Sequence, residues 1–288
     1  MKNKIRKFFV CMTFTITVFG NHSQQIFADE ISQGAVMNEV KIMEASNTEI
    51  VTPAYIQEQE EIKEQEESEL NTIHYIAMGN SVTCNEPCDF WWGTWGMASS
   101  SPEKDYVHLV TEYIKNQTGK EVETKTVSIK NWEIPSDGNR NAVLSSYDQY
   151  LDEDTDVITL QCGENITTFV ETTPTDFNDL ILHIKEKAPN AQLIVLPNLL
   201  WDFQDVENAK ENACNVNNVP IADMGDYFTN YDALYKSSVG TPVLGTDGQV
   251  HAIWYDIVGA HPNDAGMERI AQGIISNIDV DGLKAQFN

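Results

Sequence analysis

The sequence predicts an α/β fold, a doubly wound and mainly parallel five-stranded sheet between helices. Three observations predict it. Short apolar runs alternate with longer segments whose apolar residues recur every three or four positions. Two of the runs, Val157-Ile158-Thr159-Leu160 and Leu193-Ile194-Val195-Leu196, are almost continuously apolar, as parallel strands covered on both faces require. The segments between runs are long enough to be right-handed crossover helices that return the chain to the same edge of the sheet.

The chain opens on Lys2, Lys4, Arg6 and Lys7, then the apolar run Phe8–Gly20 and a cleavage position after Ile26-Phe27-Ala28. That order predicts a secretory signal peptide over residues 1–28, whose apolar part is too short to span a membrane comfortably. A secreted protein of bacterial type, with no membrane attachment after cleavage, is expected. Cleavage removes four positive charges and no acidic ones, so the formal charge moves from −26 to −30. Such acidity argues against nucleic acid and anionic membrane surfaces as partners, because both are bound through basic residues. Residues 29–71 read as an acidic linker. Ile56–Leu70 holds seven Glu, three Gln and one Lys, too few apolar residues to bury a face. Residues 72–288 then fit one domain.

Within that domain the predicted strands are Ile73–Met78, Glu123–Ile129, Asp156–Gln161, Gln192–Leu196 and Pro220–Met224. The first helix is expected to start at Ser101-Pro102, a cap followed by proline at the first helical position. It carries Tyr106, Leu109, Val110, Tyr113 and Ile114 on one face and ends at Gly119. Phe177, Leu180, Ile181 and Ile184 mark a second helix, stopped before Pro189. Asp202–Asn218 is a more polar third. A last helix from about Ala265 aligns Met267, Ile270, Ala271, Ile274 and Ile275, with Asp264 and Asn263 as its cap. Leu244–Val250 contains Asp247-Gly248, the signature of a hairpin turn.

Three short motifs carry chemistry. Gly79-Asn80-Ser81 ends the first strand, where a tight turn projects a hydroxyl at the carboxyl edge of a sheet. Gly163-Glu164-Asn165 follows the third strand and offers a side-chain amide. His261-Pro262-Asn263-Asp264 precedes the last helix and offers a base that works near neutral pH. A serine hydroxyl is a weak nucleophile until an adjacent base accepts its proton. An oxyanion formed by its attack needs donors aimed at it.

On these blocks, residues 72–280 resemble the SGNH (GDSL-type) hydrolase family, and the resemblance implies an SGNH-hydrolase or flavodoxin-like sandwich. It implies Ser81 as nucleophile and His261 as base, with an oxyanion hole of the Ser81 and Gly96 N–H groups and the Asn165 side chain; Gly93 is the alternative to Gly96. The chain departs from the family in having Asn80 for Asp, Ile166 after Asn165, and Val258 where a triad acid would precede His261. Asp256 is the candidate acid. A backbone carbonyl is the other candidate, and would leave a Ser–His dyad.

The resemblance implies a serine esterase acting on short acyl esters, acetyl above all. Trp91, Trp92 and Trp95, close after Ser81, suggest stacking against a carbohydrate or contact with an acyl chain; the same residues would equally pack their own loop. Transfer of the acyl group to a sugar hydroxyl would use the same residues. A non-catalytic glycan-binding protein that keeps the fold is the alternative from another class. Cys84, Cys88, Cys162 and Cys214 permit two disulfides in three pairings, or free thiols. Cys84 and Cys88 lack the further ligands a metal site needs, so neither metal nor cofactor is expected.

Overall fold

Strand β1 (Thr72–Gly79) is apolar on both faces, and the structure places it inside a sheet. That structure, a computed structural model, describes residues 71–287. The predicted signal peptide and the linker up to residue 70 lie outside the described residues.

The sheet is four-stranded and parallel, in the order β2-β1-β3-β4, with β2 at Glu121–Ser128, β3 at Val157–Gln161 and β4 at Gln192–Val195. Successive side chains alternate between faces. Ile73, Tyr75 and Ala77 therefore enter one core, with Val157 and Ile194, while Ile76 and Met78 enter the other with Ile158, Leu160 and Val195. Helix α1 (Tyr106–Thr118) covers the first core with Tyr106, Val107, Val110 and Ile114. The second core is closed by Trp132, from the four-residue helix α2 (Lys130–Glu133), and by α3 (Thr173–Lys187) and α4 (Gln204–Asn217). Each large side chain fully buried there contributes about 1.5–3 kcal/mol. Edge strand β2 is half-exposed and carries Glu121, Glu123 and Lys125 outward, charges that discourage a further strand from pairing.

The fifth predicted strand is not formed. Pro220–Met224 contributes a single parallel bridge, Ile221 to Val195, with the Val195 N–H on the Pro220 carbonyl (3.0 Å) and the Ala222 N–H on the Val195 carbonyl (2.9 Å). Proline has no N–H to extend the ladder. Just beyond, the Asp223 carboxylate takes the Gly225 N–H at 2.8 Å and turns the chain away.

Two predicted caps also differ. Ser101 begins only a short 3-10 turn, and α1 starts after Asp105, whose Oδ1 accepts the His108 N–H at 2.8 Å. After the single helical turn α5 (Asp256–Gly259), helix α6 (Asp264–Ile275) is capped by Asn263 alone. Asp264 instead receives the Ser100 N–H and hydroxyl at 2.8 and 2.6 Å. Helix α6 joins α1 over the first core through Met267, Ile270 and Ile274.

The predicted hairpin is present as β5 (Pro242–Leu244) and β6 (Val250–Ala252), with Gly248 at φ +75° in its turn. It grips the loop after Ser81: the Leu244 N–H reaches the Ser100 carbonyl (2.8 Å), and the Thr246 N–H reaches the Trp92 carbonyl (2.9 Å). Among the described residues, no helix is long and apolar enough to cross a membrane. Cys84, Cys88, Cys162 and Cys214 are all free thiols, the last two buried.

Candidate active site

The register of the sheet builds the site. Gly79 pairs with both Ser128 and Gln161, so β1, β2 and β3 finish level and release their loops at one edge. The chain winds outward from β1 to β2 and then returns to the other side as β3. That reversal opens a crevice at the carboxyl ends of the strands.

Gly79 is required by space. A Cβ there would sit 1.9 Å from the Thr83 hydroxyl, because the chain turns at once: the Thr83 and Cys84 N–H groups both bond the Asn80 carbonyl, at 2.9 and 3.0 Å. The turn carries Ser81, whose Oγ lies 2.8 Å from Nε2 of His261.

His261 is 2% exposed. Its backbone is pinned by its own N–H to the Val258 carbonyl and by the Ser237 N–H to its carbonyl. Nδ1 lies 2.8 Å from the Ile257 carbonyl. A carbonyl only accepts, so Nδ1 carries the hydrogen and Nε2 is left as the acceptor facing Ser81. Burial drives the imidazole down to about 4, with the Ile257 and Val258 carbonyls opposing in part. The ring is therefore neutral at neutral pH.

Asp256 does not fill the place of the triad acid. It is the exposed first residue of α5, and the ring nitrogen it would serve faces the carbonyl of the next residue. The one-turn helix explains this, since it aims a main-chain oxygen at position 261 four residues on.

Gly96 is likewise occupied. Its N–H goes to Asp105 Oδ2 at 3.2 Å, and a Cβ on it would stand 2.3 Å from the Val82 carbonyl. It is a point of backbone contact, and its donor is already used. Gly93 packs beneath Trp95, whose ring would meet a Cβ at 2.6 Å.

An open donor lies elsewhere, at Asn131 after β2. The first N–H groups of a helix have no partner within it. At the start of α2, Trp132 and Glu133 bond back to the Ile129 carbonyl (2.9 and 3.1 Å), whereas the Asn131 N–H has no acceptor among the described residues. Asn131, Ser81 and Asn165 line one cleft of about 1040 Å³. A backbone donor leaves no residue signature; the signal that could have found it was a polar turn following the second strand.

Asn165 stands at the cleft wall with its Nδ2 held by Glu133 Oε2 at 2.7 Å. The tryptophans divide. Trp91 is fully buried, edge-on to Trp95 at 5.8 Å, in a small core with Val243, Ile253 and Val258, so it presents no face to a ligand. Trp92 stacks on His251 of the hairpin at 4.5 Å and 7°. Trp95 reaches the cleft but is 5% exposed. A further aromatic row runs from the cleft to the surface: half-buried Phe90 at the cleft, half-buried Tyr255 at 5.1 Å from it, and exposed Trp254 at 5.6 Å beyond.

The solved structures this chain resembles include lipases, esterases and a salicylyl-acyltransferase. One is phospholipase A1 from Streptomyces albidoflavus NA297, at 15% identity over 71% of this chain and 99% of that one, with a TM-score of 0.46. The extracellular lipase of Streptomyces rimosus matches at 14% identity over 72% and 100%, TM-score 0.42. A two-domain esterase active on acetylated mannans matches at 15% over 77% of this chain and 52% of that one, TM-score 0.46. No protein-family profile and no curated protein matches the chain in sequence.

Proposed function

We propose that this chain is an exported serine esterase that removes short acyl groups, acetyl foremost, from a carbohydrate. The observation that carries the reading is the 2.8 Å contact of the Ser81 hydroxyl with a buried histidine whose other nitrogen is bonded to a carbonyl. Ser81 Oγ attacks the ester carbonyl carbon as its proton passes to His261 Nε2. The oxyanion is met by the Ser81 and Asn131 N–H groups and by the Asn165 amide. Collapse breaks the bond to the alcohol, which leaves with the proton from His261. Water then gives its proton to the same nitrogen and attacks the acyl-enzyme, releasing the acid and restoring Ser81.

The carbohydrate assignment is supported by the cleft wall. Thr111, Thr124, Ser128, Asn85 and Gln149 line it with hydroxyls and amides, and Phe90 and Tyr150 add aromatic surface. An acyl-chain tunnel would be apolar throughout. Export is supported by the basic and apolar pattern of residues 1–28.

The test is hydrolysis of p-nitrophenyl acetate and of an acetylated polysaccharide by the purified chain, with fluorophosphonate labelling alongside. Turnover and labelling that vanish in Ser81→Ala are expected. A folded wild-type protein that neither turns over nor labels, yet binds the glycan, would replace the esterase with a binding protein.

A further inference from the structure

The middle residue of the nucleophile turn lies between two buried carboxylates. Glu133, at the end of α2, is 1% exposed and Glu164, after β3, is 2% exposed. Asn80 Nδ2 donates to Glu133 Oε1 at 3.1 Å and to Glu164 Oε2 at 2.8 Å, while its Oδ1 accepts the Val82 N–H at 3.2 Å. An amide nitrogen has two hydrogens, and here each serves a different carboxylate.

Every other partner of the pair is also a donor. The Gly163 N–H gives to Glu133 Oε1, Asn165 Nδ2 gives to Glu133 Oε2, and the Leu199 N–H gives to Glu164 Oε1, all at 2.7 Å. Lys210, a buried cation on α4, is committed to Glu207, the Leu196 carbonyl and Asn198. Burial and the neighbouring Glu164 push Glu133 upward. The Asn165, Gly163 and Asn80 N–H groups pull the other way, since each favours the charged carboxylate.

We propose that Glu133 is a positioning residue that orients the Asn165 amide, and that residue 80 is an amide because it must divide two N–H donors between Glu133 and Glu164. One Nδ2 hydrogen of Asn165 is taken by Glu133, which leaves the second for the cleft. An Asp at position 80 would remove both donors and set a third carboxylate against the other two. The departure from Gly-Asp-Ser to Gly-Asn-Ser and the presence of Glu133 and Glu164 are then one feature.

The kinetic arm of the test rests on the esterase reading, and the spectroscopic arm does not. Glu133→Gln is expected to lower kcat about 10- to 100-fold with KM unchanged, short of losing the donor outright. In an Asn165→Ala background the same change is expected to cost little, because both act through one amide. An equal loss in both backgrounds overturns the proposal.

Independently, the Asn165 side-chain amide is followed by NMR in the ¹⁵N-labelled full chain, assigned by its disappearance in Asn165→Ala. A downfield, slowly exchanging Nδ2 proton is expected in the wild type; a freely exchanging pair overturns the proposal even if Glu133→Gln fails to fold. A wild type with the protected proton but no ester turnover would remove the esterase reading and leave the positioning role standing. For residue 80, Asn80→Asp is expected to lower the melting temperature more than the uncharged Asn80→Leu, and the reverse order overturns that half.

Discussion

At the scale of single residues, the proposed chemistry depends on a histidine oriented by a main-chain oxygen. The pKa of His261 is lowered to about 4 in the folded protein, so the ring stays an acceptor as pH falls through the ordinary histidine range. The acid limb of kcat/KM is therefore expected near pH 4, and a limb near 6.5 would contradict the burial argument. The same depression has a stability consequence. The unfolded chain takes up the proton first, so stability is expected to decline as pH drops from about 6.5 and to level off below about 4. Urea midpoints across that window, compared with His261→Asn, would register it. Asp256→Asn is expected to leave kcat/KM unchanged, since the carboxylate is exposed and the Ile257 carbonyl fills its place. Asn165→Ala is expected to lower kcat by about 10²–10³ with little change in KM. Ser81 and His261 were legible in the sequence because their residue types announce their chemistry. The Asn131 N–H, which has no acceptor among the described residues, and the Ile257 carbonyl bonded to His261 were not, because any residue supplies such a group.

At the scale of elements, Asp105 joins a helix start to the loop after the nucleophile. It caps α1 through the His108 N–H, bonds His108 Nδ1 at 2.7 Å, and takes the buried Gly96 N–H. Asp105→Ala removes the cap and strands the Gly96 donor, so a loss of about 2 kcal/mol or more is expected from chemical denaturation. Asp105→Asn, which can still accept, should lose less. The sequence pointed to Ser101-Pro102 as the helix start because proline at a first turn is a strong local signal. A buried carboxylate with a second client 9 residues upstream outweighed it. Strands β1, β3 and β4 were readable because burial on both faces makes them continuously apolar. The fifth failed for a local reason, the missing donor of Pro220 and the turn at Asp223.

At the scale of the whole molecule, the free thiols of Cys84, Cys88, Cys162 and Cys214 mean that no covalent tie supports the described fold. The melting temperature is expected to be the same with and without reductant, and a fall on reduction would show that a disulfide forms after all. Stability rests on the two cores, one on each face of the sheet; their strands and long helices follow the predicted alternation, whereas Trp132, Leu144, Tyr147 and Leu151 come from a stretch where the sequence predicted no element. The site lies across their rim, on loops whose order the sequence showed and whose mutual contacts it did not.

The β5–β6 hairpin has three residues in each strand, most of them exposed, yet it bonds the loop after Ser81 and lies shortly before the segment that carries His261. It is a small fastening, Thr246 to Trp92 across a sequence separation of 154 residues, beside a Ser81–His261 pair that lies 180 residues apart. Elements with so little buried surface open at lower cost than the sheet they border. Warming should therefore part Ser81 from His261 while both cores remain intact, so that heat silences the proposed activity in a step distinct from, and earlier than, the melting of the fold.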